Sequence, residues 1–304
     1  LIAAGYLPNG DVSVEMIQFV HVILNKYLTM RQIRAGNDRH TRWLLGLVVF
    51  ELEERLDPKS YERGLSVFLF ESIVDRVVLR NIEMEETDRR LQVYIACLRA
   101  LQKADDELLS YKLVRAYHTR WMHPETWGDQ TQDVAFQMVG VERRIREQLQ
   151  HALGQKFLYA VKPPAVATRV LFEVLKGKPK EEVAKLQKID NLMPEIEAAA
   201  ESRMNYAKKR LRRGMVRTII YLFLTKIFIA LAFEVPIEQL LYKHVDNTAL
   251  IINIAFPPIL MLLVGLLIRL PVKDNIVRIQ KLIKQLLSSE GIEVREVKRV
   301  TPKK

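Results

Sequence analysis

Residues 249–268 read ALIINIAFPPILMLLVGLLI, a run of twenty residues without a charged side chain. At about 1.5 Å per residue, a helix of this length crosses the roughly 30 Å hydrocarbon core of a bilayer. Its one strongly polar side chain is Asn253. A fully buried helix of a soluble core is the alternative, but the run has no polar face. The segment therefore predicts a membrane-spanning helix, kinked at Pro257 and Pro258, whose freed carbonyl groups a neighbouring helix can satisfy.

A second apolar segment lies just upstream, where residues 216–233 read VRTIIYLFLTKIFIALAF. Eighteen helical residues reach about 27 Å, which is just enough to cross. Lys226 weakens the prediction, because a lysine at mid-span costs roughly 2.5–3.5 kcal/mol on insertion scales. An interfacial or re-entrant helix is the alternative for this segment. If both segments span, residues 236–247 form a short turn between two antiparallel helices.

The charges that flank the two segments predict their orientation. The connecting loop carries Glu234, Glu238 and Asp246 against Lys243. Both outer flanks are strongly basic, through Arg203, Lys208, Lys209, Arg210, Arg212, Arg213 and Arg217 before the first segment and Arg269, Lys273, Arg278, Lys281 and Lys284 after the second. Lysine and arginine near span ends stay on the cytoplasmic side. We therefore expect a multi-pass protein of the cell (cytoplasmic) membrane with both termini in the cytoplasm.

Charge divides the chain into two parts. Residues 201–304 carry 19 basic and 8 acidic side chains and account for the whole net charge of +11, whereas residues 1–200 are neutral overall. A single basic nucleic-acid-binding domain is therefore a poor description of the chain, and a hydrophobic content of 49% argues against disorder. Residues 1–5 lack a basic segment of the kind that opens a secretory signal, so none is predicted there.

The neutral part has the pattern of successive helices. Side chains that can cap or start a helix precede apolar stretches of helical period, and they are Asp11, Asp38, Ser60, and Asp105 or Asp106, with Thr87 also preceding such a stretch. Pro163-Pro164 predicts the start of a shorter helix that ends at Gly177, and Pro194 closes a later one. Sustained alternation is absent from the sequence, so strands have little support. The pattern favours an antiparallel helical bundle, with a short helical solenoid as the lesser option.

The predicted fold is thus all-α, a cytoplasmic helical bundle joined to a transmembrane helical hairpin. The predicted divisions are a cytoplasmic helical domain at 1–192, a basic helical stalk at 193–215, a two-span hairpin at 216–270 (spans 216–235 and 248–270), and a basic amphipathic helix with a tail at 271–304. The tail from residue 291 either adds one short strand or stays loose.

The sequence contains no specific catalytic motif. Phosphate-binding glycine loops, H-E-x-x-H and G-x-S-x-G are all missing from it. Its densest polar group is the set His118, His123, Glu125, Asp129 and Asp133. His118 and His123 are five residues apart, about 140° around a helix, so the set favours a helix end and a polar loop over a metal site. We therefore predict no catalytic, cofactor-binding or metal-binding residues, and we interpret Cys97, the single cysteine, as a small core residue.

The candidate functional residues lie in and beside the membrane segments. Lys226 either reaches the interface by snorkelling or makes a polar contact inside the hairpin or an oligomer, with Asn253 or Glu234 as its partner. The candidates for binding anionic lipid headgroups are Lys208, Lys209, Arg210, Arg212 and Arg213. Tyr206 is the only aromatic residue among these basic ones, so no stacking platform for nucleic acid is offered and no nucleic-acid partner is expected.

Three motifs of the C-terminal block carry a family resemblance. They are EVP at 234–236, NIAFPPILM at 253–261 and GLLIRLP at 265–271. Over about 60 residues this block resembles hairpins of uncharacterised two-span membrane proteins from bacteria, notably candidate-phylum lineages. The resemblance implies a bacterial cytoplasmic membrane, and it implies neither an activity nor functional residues.

Three functions stay open at this point. The leading hypothesis is a non-catalytic, membrane-anchored scaffold or adaptor whose helical domain binds another protein. The first alternative is a channel or transporter subunit that forms a pore by homo-oligomerisation around Lys226 and Asn253. The second alternative is a metal-dependent enzyme that uses residues 118–133.

Overall fold

The computed structural model describes residues 13–33, 38–56, 60–242, 247–267, 272–288, 294 and 296–298. Within these residues the chain is all-α, apart from a two-residue parallel pairing of β1 (Leu79–Arg80) with β2 (Val297–Lys298). The short strand predicted as one option for the tail is therefore confirmed. The chain divides into two compact units, residues 1–172 with 282–304, and residues 173–281.

The first unit is built on seven helices of the described residues. Their bounds are α1 Val14–Ile33, α2 Asp38–Leu56, α3 Ser60–Ile73, α4 Glu86–Gln102, α5 Asp106–Tyr117, α6 Thr131–Leu149 and α7 Gly154–Leu175, of which α7 ends just inside the second unit. Helix α5 ends at Tyr117. Short 3-10 turns at Thr119–Met122, Pro124–Thr126 and Gly128–Gln130 then lead to α6.

Local capping decides several helix starts. The Asp105 side chain accepts a hydrogen bond from the Leu108 backbone N–H at 2.9 Å and caps α5, as predicted. The described parts of α2 and α3 begin at Asp38 and Ser60, and the residues that precede them lie outside the described residues. Ser13 accepts a hydrogen bond from the Met16 backbone N–H at 3.2 Å and caps α1. Asp11, the predicted cap of this helix, lies outside the described residues.

The core of the first unit lies between α1, α2, α4, α5 and α6. Its fully buried large side chains include Met30, Leu47, Ile95, Leu98, Leu109, Tyr111, Leu113 and Trp121. Three large apolar side chains of α1, those of Phe19, Leu24 and Leu28, are exposed. The buried face instead passes through Ile23, Lys26, Tyr27 and Met30. The apolar residues alone indicate a different face of α1, because the buried face includes Lys26.

Two consecutive prolines do not set the start of α7. This helix begins at Gly154 and continues through Pro163 and Pro164, so the predicted start at these prolines is wrong. The residues of its first turns, Phe157, Ala160 and Val161, are at most 1% exposed. Burial of these side chains offsets the missing hydrogen bonds at the prolines.

The second unit is dominated by one long helix and an apolar partner. Its elements are α8 Lys180–Lys185, α9 Ile189–Ile229, a π-helical turn Ala230–Glu234, α10 Val235–Tyr242, α11 Asn247–Leu267 and most of α12 Val272–Leu287. Pro194 lies inside α9 and does not end a helix. The predicted turn from Pro236 is wrong over residues 236–242, which are helical. Pro236 has no backbone N–H to donate, and the π-helical turn before it adjusts the hydrogen-bond pattern of the helix to this loss.

Candidate functional site

Helices α9 and α11 pack against each other in an antiparallel pair. The Lys226 amine donates to the Asn253 side-chain oxygen at 3.4 Å. Earlier on α9 and later on α11, Met215 meets Gly265 so closely that a methyl group at Gly265 would overlap the Met215 sulfur. From Met215 to Lys226 the chain of α9 advances, whereas their partners go back from Gly265 to Asn253 on α11, so the two helices are antiparallel. Gly265 allows the backbones to approach, as small residues do between membrane helices.

The less exposed side chains of this pair recur at three- and four-residue intervals. Among the less exposed positions, Met215, Ile219, Leu222, Lys226 and Ala230 on α9 show this spacing, while Ile254, Pro258 and Gly265 on α11 are four and seven residues apart. This spacing is the seam of a packed helix pair. Lys226 belongs to the seam, and its contact with Asn253 is one of the two contacts predicted for it.

The other predicted partner of Lys226 is Glu234. Its backbone lies in the π-helical turn Ala230–Glu234, and its side chain lies outside the described residues.

Away from the seam, both helices carry large apolar side chains that point outward. We define this set as the apolar belt, and it consists of Val216, Ile220, Tyr221, Phe223, Leu224, Phe228, Ile229, Leu231 and Phe233 with Ile251, Ile252, Phe256, Ile259, Leu260, Met261, Leu262, Leu263 and Val264. One helix, counted through residue 237, is long and apolar enough to cross a membrane by length and composition, and 6% of its most apolar window is buried. A shorter apolar helix covers Ile251–Gly265. A core helix of a soluble protein would bury such a surface.

The predicted headgroup-binding residues precede the belt on α9. Lys208, Lys209, Arg210, Arg212 and Arg213 are all exposed. Among the described residues, none of the five makes an ion pair. Because α9 is continuous from Ile189 to Ile229, these cations stand on the same helix as the belt.

The first unit contains a buried polar cluster that the sequence patterns did not reveal. The Lys26 amine lies 2.6 and 2.7 Å from the two carboxylate oxygens of Glu51, and the Tyr27 hydroxyl donates to Glu51 at 2.7 Å. Lys26 also donates to the Trp121 carbonyl at 3.3 Å and lies 4.9 Å from the Trp121 ring centre. Glu51 is 2% exposed, so this carboxylate belongs to the core and not to the solvated surface.

Burial governs the titration of this cluster. Removal from water lowers the pKa of Lys26, and the negative charge of Glu51 acts in the opposite direction. Burial, followed by the charge of Glu51, raises the pKa of Tyr27 well above its usual value. The cluster joins the Lys26 amine and the Tyr27 hydroxyl to the same Glu51 carboxylate. The cluster has a structural role, because its polar atoms form hydrogen bonds with one another.

The polar set predicted at residues 118–133 does not converge. The His123 ring lies 3.0 Å from Glu125, and both side chains are more than 60% exposed. In the part of the chain that the structure describes, no group of three or more His, Cys, Asp or Glu side chains could hold a metal ion. Trp121 and Trp127 are buried in the core with ring centres 5.4 Å apart, so they pack this stretch onto the bundle.

The single cysteine is a core residue, as predicted. Cys97 lies in α4 with no measurable exposure, among Val93, Ile95 and Leu98. Burial raises the pKa of its thiol far above the usual value. The thiolate, which is the reactive form, is therefore scarce at neutral pH.

Comparisons of the chain with protein-family models, with curated proteins and with solved structures gave no match.

Proposed function

We propose that this chain is a membrane-anchored helical scaffold or adaptor, with α9 and α11 as the two spans of a hairpin and the helical first unit as a protein-binding domain on the cytoplasmic side. The apolar belt is the observation that carries this proposal. Two adjoining helices expose large apolar side chains over most of their outer surface. In water this surface would drive association, whereas in lipid it needs no cover.

The charges beside the belt support the proposed orientation. Basic side chains lie before the belt on α9, and further ones, Arg278, Lys281 and Lys284, lie on α12. Cations at these places hold both flanks on the cytoplasmic side. Each of the exposed cations near the lipid surface adds about 1 kcal/mol of attraction to anionic headgroups.

A stripe on α1 supports the adaptor part of the proposal. Val14, Ile17, Leu24 and Leu28 are each at least 40% exposed and, with His21, recur at three- and four-residue intervals. This spacing matches the seam of a coiled coil, so the expected partner is an amphipathic helix of another protein. Catalysis is not part of the proposal, since the sequence contains none of the catalytic motifs considered above.

Accessibility of engineered cysteines tests the topology. Cys97 is buried, so the native protein gives little background with a membrane-impermeant maleimide. In intact cells we expect His244→Cys, which follows α10 and precedes α11 in the sequence, to be labelled from outside. Ser202→Cys and Ser288→Cys, at exposed positions before and after the hairpin, should be labelled only after permeabilisation. Labelling of Ser202→Cys in intact cells would contradict the proposed orientation.

Photocrosslinking from the α1 stripe tests the adaptor function. A photoreactive amino acid at Leu24 should give one discrete adduct with a different protein in living cells, because this side chain faces outward on the stripe. The same amino acid at Arg143, an exposed position on α6, serves as the control and should not give that adduct. A dimer of this chain as the only adduct, or identical adducts from both positions, would refute the adaptor hypothesis.

The channel alternative receives no independent support from the geometry. The contact between Lys226 and Asn253 places the lysine in the seam between two helices of one chain. A polar pair held in this way accounts for a lysine at mid-span without an ion pathway. We therefore retain the anchor as the proposed role of the hairpin.

A further inference from the structure

Three cations of the first unit converge on one carboxylate. Glu54, near the end of α2, forms ion pairs with Arg63 of α3 and with Lys112 and Arg115 of α5. The Lys112 amine lies 3.4 Å from Glu54, whose side chain is only 11% exposed. The Arg63 and Arg115 side chains are 43% and 35% exposed, so both cations remain accessible from solvent while they pair with this largely buried carboxylate.

A cavity of about 420 Å³ opens beside this cluster. The residues that line it include Arg55, Arg63 and Arg115, together with Tyr111 and Thr119. Among the described residues that line it, Glu54 is the only carboxylate. Small-molecule sites in proteins occupy about 300–1,000 Å³, so the cavity has the size of a ligand site.

The cations of this cluster repel one another. Burial, followed by the charges of Arg63 and Arg115, lowers the pKa of Lys112 to about 8, although Glu62 and Glu53 act in the opposite direction. Burial and the charge of Arg115 also lower the pKa of Arg63. Around the cavity itself, Arg55, Arg63 and Arg115 face the single carboxylate of Glu54, so the cavity would attract an anion.

We propose that this cavity binds the dianionic phosphate group of a small soluble phosphate monoester. Arg63 and Arg115 supply planar, two-pronged donors that match phosphate oxygens, and Thr119 supplies a hydroxyl donor beside them. The cavity has room for an organic part next to the phosphate. This ligand site goes beyond the scaffold function and does not depend on it, because every residue used here belongs to the first unit.

Isothermal titration with glycerol 3-phosphate tests the site. The full chain is held in uncharged detergent micelles, and glycerol with sodium chloride at matched ionic strength is the reference. We expect saturable binding of glycerol 3-phosphate alone. Arg115→Gln should weaken it about tenfold, since one charge-assisted contact is lost. Arg55→Gln, at an exposed side chain whose loss does not threaten folding, should weaken it severalfold.

Two further variants separate a ligand site from a general charge effect. Arg143→Gln removes the same charge at an exposed place outside the cavity and should leave binding unchanged. Glu54→Gln frees the arginines and should bind glycerol 3-phosphate severalfold more tightly, the opposite of what loss of structure would give.

The proposal is overturned if sodium chloride reproduces the heat signal, if Arg55→Gln and Arg115→Gln bind like the native chain, or if Glu54→Gln binds no more tightly. Micelles doped with phosphatidic acid carry the same phosphate group on a lipid. Binding to these micelles without binding to glycerol 3-phosphate would also overturn it, because the ligand would then be a lipid headgroup. None of these outcomes affects the topology experiment above.

Discussion

Replacing Glu51 with alanine is expected to lower the free energy of unfolding of the helical unit by about 3–5 kcal/mol, because it leaves the Lys26 ammonium buried without its counter-charge. Lys26 and Glu51 have side chains at most 3% exposed, so water cannot replace the lost partner. The Tyr27 hydroxyl also loses its acceptor. Trp121, which lies against the cluster, reports unfolding by fluorescence during denaturant titration of the full chain in micelles.

Two further variants test whether the loss of stability comes from the broken ion pair. Glu147→Ala removes an exposed glutamate from α6 and should change stability by less than about 0.5 kcal/mol. The double replacement Lys26→Met with Glu51→Leu removes both charges together, and it should recover most of the loss, because apolar side chains of similar size fit such sites well. A single-variant loss under about 1 kcal/mol, or a double variant no more stable than Glu51→Ala, would show that the pair is not held as described.

Leu224→Arg is expected to abolish stable insertion of the first span. Leu224 lies in the middle of the apolar belt and is 60% exposed. Arginine at a helix centre costs roughly 2.5–3.5 kcal/mol on insertion scales, and the favourable contribution of leucine is lost as well. The ratio of inserted to uninserted span should therefore fall by about a hundredfold. Lys226 already makes the free energy of insertion of this segment less favourable, so the added cost of an arginine is not offset.

The measurement is the fraction of protein retained with membranes after alkaline carbonate extraction, combined with labelling of a cysteine in the loop. Leu211→Arg provides the matched control, since Leu211 is also exposed on α9 but lies among the basic residues before the belt. It should leave both readings unchanged. If Leu224→Arg behaves like Leu211→Arg, then the belt does not lie in lipid.

Features that depend on neighbouring residues were predictable from the sequence. The cap at Asp105 needs only the backbone of Leu108, and the all-α class follows from helical periodicity. Proline was a poorer guide. Pro163 and Pro236 lie within helices because burial or a π-helical turn compensates for the lost hydrogen bond, and neither compensation is visible locally.

Features that depend on distant residues were missed. Lys26 and Glu51 are 25 residues apart, and each looks like an ordinary surface charge within its own helix. The available signal was the position of Lys26 between Ile23 and Met30, at the spacing of a buried face. The carboxylate of Glu54 meets side chains from α3 and α5, so only the folded chain reveals the cationic cavity. The contact between Lys226 and Asn253 was among the predicted options because hydropathy had already paired their segments.

The unbroken course of α9 fixes a rotational relationship along the chain. Its N-terminal half buries Leu192, Ile196 and Ala200, and its C-terminal half buries the seam that begins at Met215. At about 100° per residue, the nineteen positions from Ile196 to Met215 turn these two stripes to about 100° from each other. The direction in which one stripe faces therefore determines the direction in which the other faces. A single residue inserted between the stripes would rotate one stripe relative to the other by about a quarter turn. A substitution at the same place would leave the angle between the stripes unchanged.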